Sequence, residues 1–320
     1  MKLIEPKVEL WKQGNTLAEL WEHIAKCTRV CYQSEPKNTD ETGEQFVKRI
    51  ILRNHSYEEI AKDRELQEKL HLSVLEHGTV YLAIDIACDV SNYSNAIKYI
   101  KNKYSRIFEN VYGGTYCTDR ATCYSTVFIT TNMRVLIENG WMDDLKYLCK
   151  PTKYHTLRKT FSIWTNTGAI RDTNRHRVHS ISEESSRYCK YSSSKFGSEL
   201  SIAKMPWISD KDYAKAMFST EDLFNKGVIP AHDTNTWSAN DWYLWYLQMG
   251  EITYNKLSEL GWKAQQCSEV LTFSTKTQSV HTAFIDDWQH YCHLRSNEVS
   301  GKVRPEVKII ADKINKIING

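Results

Sequence analysis

Hydrophobic positions recur along the chain at two periods, and each predicts a kind of element. Leu17, Leu20, Trp21, Ile24, Ala25 and Val30 share one helical face, which predicts a helix over 17–32. Helical spacing also covers 44–52, 57–75 (closed by Gly78), 131–148 (across Gly140) and 239–260, the last carrying Trp242, Leu244, Trp245, Leu247 and Met249. Shorter helices are expected over 265–271, 286–294 and 305–318, with Pro305 in the first turn of the last. Alternation or short apolar runs predict an edge strand at 8–11, a buried strand at 79–87, and strands at 125–130, 156–165 and 276–282. Residues 36–43 and 192–206 read as polar and irregular, 92–104 follows no clear period, and Gly168 opens a turn-and-helix stretch. There are no repeats and no linker, so one domain over 1–320 is expected. Strands and helices mix without regular alternation, which favours an α+β fold over a doubly wound sheet.

The charge changes this picture. The whole chain carries +3, from 42 Lys and Arg against 39 Asp and Glu. Between Lys150 and Lys195, however, ten cations face three carboxylates, so an excess of +7 sits in one segment and the remainder is negative. Such a patch suits an anionic partner: a nucleotide, a phosphate-bearing cofactor or a nucleic acid. Nine cysteines without a repeated spacing point to reduced thiols rather than a disulfide framework. No apolar run reaches the roughly 18 residues of a membrane span, and Met1–Pro6 lacks the apolar core of a signal peptide. A cytoplasmic location is therefore expected, with no membrane partner and no metal.

The densest chemistry lies in Arg175-His176-Arg177-Val178-His179-Ser180-Ile181-Ser182-Glu183-Glu184-Ser185-Ser186-Arg187-Tyr188. Guanidinium forks suit phosphates and the carbonyl edges of pyrimidines or flavins. Serine hydroxyls and backbone amides complete an anion cradle, and glutamate can accept from a ribose hydroxyl. These residue types favour a nucleotide or cofactor site over a surface ion-pair network or contact with nucleic acid. The Lys98–Lys103 run reads as a solvated face, and Trp242, Trp245 and Tyr246 as helix packing.

Arg-His-Arg followed after seven residues by Ser185, then Arg187, resembles the signature of the flavin-dependent thymidylate synthases. Three further segments resemble that family in the same order: His71-Leu72-Ser73-Val74-Leu75-Glu76-His77, Thr28-Arg29-Val30-Cys31-Tyr32, and Asp287 through Leu294-Arg295. Val303–Lys308 is a weaker echo, and residues 90–155 read as an insertion relative to compact members. The resemblance implies the family's α+β fold, a mixed sheet with flanking helices. It implies methylation of dUMP with methylenetetrahydrofolate as carbon donor, FAD as cofactor and NADPH as reductant. It also implies a homotetramer with FAD where subunits meet. Carried over by position, Arg175, His176, Arg177, His71, Ser73, Glu183 and His290 fall at flavin-site positions. Asp172, Arg175, Glu183, Glu184, Ser185, Ser186 and Arg187 fall at nucleotide positions. Arg295 falls where an arginine stabilises the ionised uracil ring, a role that suits a fixed cation beside a developing anion. No enzyme thiol is needed, so Cys189 is expected to be a bystander.

The sequence also departs from the family pattern. Ser268 stands in place of an arginine that helps hold dUMP, and Thr272 in place of a proline. Phe284-Ile285-Asp286 aligns with an Asn-x-Arg of the flavin site, Asp172 with a glutamine, and Ser182 with an asparagine. Two rival readings follow: a pyrimidine-nucleotide methylase or hydroxymethylase with an altered substrate, and a catalytically silent homologue that binds nucleic acid. Lys190, Lys195 and Lys276 are the cations in sequence reach that could compensate for Ser268.

Overall fold

The computed structural model describes residues 1–32, 40–87, 90–117, 120–187, 191, 199–215, 234–299 and 301–320. Cys189, Lys190 and Lys195 lie outside the described residues. Among the described residues three sheets organise the chain, and strands and helices mix as an α+β fold. The central sheet is antiparallel in the order β2 (Lys7–Trp11), β6 (Arg158–Asn166), β9 (Lys276–Phe284) and β7 (Ser180–Glu183). A second antiparallel sheet places β5 (Arg120–Asn132) between β3 (Thr79–Ala87) and β4 (Arg106–Cys117). Among the described residues, parallel pairing is confined to β1 (Lys2–Ile4) with β8 (Ser201–Ala203).

The two faces of the central sheet have different chemistry, because side chains alternate along a strand. One face presents Phe161, Ile163 and Ala283 to the helices Ile285–Arg295 and Pro305–Asn319, where Trp288, Tyr291, Ile310 and Ile314 complete an apolar core. The other presents Thr160, Ser162, Ser182 and Thr282, all buried, towards the helix Leu17–Tyr32 and the 3-10 turn Leu72–His77. A larger core joins that first helix to Phe46, Leu75, Leu82, Ile129 and Leu136. Residues 90–155 contribute Tyr99, Val127 and Ile129 to it, so this segment is packed into the N-terminal core rather than appended to it.

Local chemistry explains where elements differ from the periodic reading. The stretch 57–75 is three pieces: Tyr57–Lys62, Arg64–Lys69 and the 3-10 turn. Asp63 is extended and its carboxylate accepts from Leu66 N at 3.0 Å, so it ends one helix and caps the next. The stretch 131–148 breaks at Gly140, which takes a left-handed φ of 68° and closes the helix Met133–Asn139. The stretch 92–104, which follows no clear period, carries most of the helix Val90–Ile97, and β4 begins beyond it, in a segment that periodicity did not assign. In the lysine-rich run, Tyr99 is fully buried and donates to Asp144 at 2.6 Å, with Lys98 paired to the same carboxylate, so only part of that run is a solvated face. On the helix Ala239–Glu259 it is Leu244 and Leu247 that pack inward, while Trp242 and Tyr246 are exposed, against expectation.

Gly43 shows how closely the first two helices meet. A Cβ there would lie 2.7 Å from the backbone of Glu22 and the carbonyl of Trp21, and Gly43 N donates to the Glu22 carboxylate. Backbone cannot yield as a side chain can, so Gly43→Ala should destabilise the fold by about 1–3 kcal/mol. An unchanged urea midpoint for this variant would contradict the close approach.

Candidate active site

The signature follows a short helix and begins as a turn that leads into β7. Asn166 caps the helix Thr167–Thr173, its side chain accepting from Ala169 N at 2.7 Å. The chain then tightens, with His176 N donating to Thr173 O and His179 N to His176 O, both at 3.1 Å, before entering β7.

On the helical side of the central sheet, Arg295 Nε donates to His176 Nε2 at 3.2 Å. The His176 ring meets Tyr291 edge-on at 4.8 Å and lies 6.5 Å from the His290 ring. Burial, then the nearby Arg295, His290 and Arg175, lowers His176 to about 4, so it is neutral at pH 7 and accepts at Nε2. Its Nδ1 proton remains as a donor. Arg175 and Arg177 are exposed, and Asp172 is half-buried.

At the other end of β7 the carboxylates are set differently. Glu183 accepts from Asn174 Nδ2 at 3.0 Å and Thr277 Oγ1 at 3.1 Å, and burial raises its pKa despite these bonds. Glu184 is buried, pairs with Lys276 at 2.6 Å and accepts from Gln278 N at 3.2 Å. Glu183, Glu184, Ser186, Ser268 and Lys276 line a cavity of about 180 Å³. Ser268 also borders a neighbouring, more open cavity of about 530 Å³ with Arg187, Trp262 and Gln266. The structure therefore brings together Glu183, Glu184, Ser186 and Arg187 with Ser268, and separately His176, His290 and Arg295. Ser185 N bonds Cys31 O at 3.3 Å, which ties the loop to the first helix. His71 and Ser73 are exposed at the start of the 3-10 turn whose far end buries His77, and they line neither cavity.

Beneath the signature runs a chain of polar groups that sequence reading did not assemble. His23 Nε2 meets Thr160 Oγ1 at 3.1 Å, Thr160 meets Thr282 at 2.7 Å, Thr282 meets His77 Nδ1 at 2.7 Å, and His77 Nε2 meets Ser182 at 2.9 Å. On the opposite face His281 and His179 approach at 3.4 Å, and the His179 ring lies tilted against Trp288, their centres 4.3 Å apart. The only sequence signal was the polar side chains alternating inside otherwise apolar strands.

The fold and site together define an α+β protein with an arginine-bearing turn at one end of β7 and two adjoining cavities at the other. A family model described as thymidylate synthase complementing protein matches residues 152–320, more than half of the chain, and the chain belongs to that family. Among solved structures, the chain is similar to a UMP/dUMP methylase, PolB, from Streptomyces cacaoi bound with 5-Br dUMP, at 17% identity and a TM-score of 0.34 over 50% of this chain and 64% of that one. It is also similar to thymidylate synthase X from Helicobacter pylori with FAD and dUMP, at 19% identity and a TM-score of 0.33 over 50% of this chain and 66% of that one. The chain thus spans just under two thirds of these structures. No curated protein matches it.

The buried imidazoles set an acid limit on stability. Burial lowers His23 and His176 to about 4, His281 to about 3, and His77 well below the usual range. Above pH 6.5 neither folded nor unfolded chain protonates them. Below it the unfolded chain takes up protons that the folded chain refuses, so stability falls as pH drops from about 6.5 towards about 4. Glu183, raised by burial, opposes this as a single group. Unfolding free energy should fall by several kcal/mol between pH 7 and pH 5, at about 1–2 kcal/mol per histidine. His281→Leu should flatten that slope; equal stability at pH 7 and pH 5 would refute the assignment.

Proposed function

We propose that the chain is a flavin-dependent thymidylate synthase that methylates dUMP, using methylenetetrahydrofolate and NADPH, as a homotetramer. The observation that carries this reading is the family signature itself, folded so that one four-residue strand separates the His176–Arg295 pair from the Glu184–Lys276 cavity. The donor set fits FAD: Arg175, His176, Arg177 and Arg295 offer fixed cations and an N–H to a carbonyl-rich ring and to phosphates. FAD, when bound, supplies the redox chemistry and the one-carbon relay. Arg295 stabilises negative charge developing on the uracil ring, and the neutral His176 orients that guanidinium through Nε. His71, Ser73 and His290 would complete the flavin contacts. Asp172, Glu183, Ser185, Ser186 and Arg187 would hold the nucleotide. The exposure of Arg175, Arg177 and His71 on one protomer supports a second subunit as the missing wall.

Lys276 is the cation placed to replace the arginine absent at Ser268, since both border one cavity. Lys276→Ala should weaken dUMP binding roughly ten- to a hundredfold, the range of a charge-assisted contact. Glu184→Gln with Lys276→Met avoids a buried, unpaired carboxylate and should show the same loss. Ser268→Arg should leave affinity unchanged or lower it by crowding. If Ser268→Arg tightens dUMP tenfold and Lys276 does not matter, the substrate is another pyrimidine nucleotide. Ser268 and Asp286 favour that second reading, and product analysis with dUMP against dCMP separates the two.

The general test is direct. Purified protein should be yellow and convert dUMP to dTMP with the folate donor and NADPH. Colourless protein that binds nucleic acid and leaves dUMP unchanged would support the silent homologue instead.

A further inference from the structure

A third cavity, of about 300 Å³, lies where residues 90–155 meet the central sheet. That volume is at the lower end for small-molecule sites. Its wall carries Lys103, Arg106, Arg158 and Arg177, against the single carboxylate of Asp287. Phe284 forms an aromatic floor, with the Arg106 guanidinium 4.6 Å and the Arg158 guanidinium 5.5 Å from its ring centre. Arg158 is held rigidly: it donates to Glu76 O at 2.9 Å and, at 3.2 Å, to Thr79 Oγ1 and Ser180 Oγ. Its Nε is buried without a hydrogen-bond partner. Burial lowers Arg158 to about 10, so it stays charged at neutral pH.

Four cations around one cavity repel one another, and one carboxylate does not balance them. An occupant with at least two negative charges and several acceptor oxygens would offset that repulsion. Lys103 and Arg106 lie before residue 152, outside the part of the chain that the family model matches. We propose that this cavity is a phosphate site in which Lys103 and Arg106 act with Arg158 and Arg177 to hold the diphosphate of a bound dinucleotide. Residues 90–155 thereby take part in cofactor retention. Assigning the diphosphate to FAD rests on the reading in the preceding section; the phosphate site itself rests on the cavity and its charge.

Calorimetric titration of the full chain with inorganic pyrophosphate, FAD, riboflavin and dUMP tests this. In Lys103→Ala/Arg106→Gln, pyrophosphate and FAD should each bind about tenfold or more weakly, while riboflavin and dUMP are unchanged. Lys103→Arg/Arg106→Lys should stay near wild type. Lys103→Glu alone, at an exposed position that does not threaten folding, should weaken pyrophosphate binding by at least as much as the double variant. Pyrophosphate binding equal in wild type and variants overturns the site. Loss for dUMP but not FAD overturns the dinucleotide assignment. A wild type that binds FAD through these residues yet makes no dTMP refutes the reaction and leaves the site intact. Normal dTMP formation with FAD affinity unaltered in the variants refutes the site alone.

Discussion

Five hydrogen-bonding side chains, His23, Thr160, Thr282, His77 and Ser182, form an unbroken chain through the centre of the molecule. It joins the first helix, three strands of the central sheet and the 3-10 turn. Each member is buried, and a buried polar group that loses its partner costs about 1–3 kcal/mol. The chain therefore fixes which strand lies beside which more firmly than an apolar layer would. Strand β7 has four residues and two antiparallel neighbours' worth of work to do with one partner, β9. Its register is held by Ser182 on His77 from above and by Glu184 on Lys276 and Gln278 at its end.

That register positions the signature. One end of β7 delivers His176 to Arg295, and the other delivers Glu183 and Glu184 to the cavity beside Ser268. The electrostatics follow from burial. The imidazoles are kept neutral, so the fixed positive charge of the region resides on arginines and lysines whose charge does not change near pH 7. Ser268, where the family resemblance leads one to expect an arginine, shares its cavity with a lysine on β9 that a buried carboxylate already engages.

Much of this was legible in the sequence. The helix Leu17–Tyr32 and the strand Thr79–Ala87 follow directly from periodicity, and the long helix Ala239–Glu259 nearly so. The signature was legible as a motif. Breaks at Asp63 and Gly140 were not, because helical spacing continues across them while a cap or a left-handed glycine stops the backbone. Trp242 and Tyr246 fit the helical face by hydrophobicity, yet packing chose Leu244 and Leu247. The hydroxyl–imidazole chain and the cationic cavity were invisible for a common reason. Directly bonded members lie as far apart as His77 and Thr282, 205 residues, and only strand pairing brings them together.

On the proposed reading, β7 joins two halves of one site, with the flavin at His176 and Arg295 and the nucleotide at Glu184, Lys276 and Ser268. Titrating dUMP into the FAD-loaded protein while recording the flavin absorbance bands tests it most directly. A saturable shift of those bands is expected, as a pyrimidine settles against the flavin. Saturable binding of dUMP, measured by calorimetry, with unaltered flavin bands would contradict it.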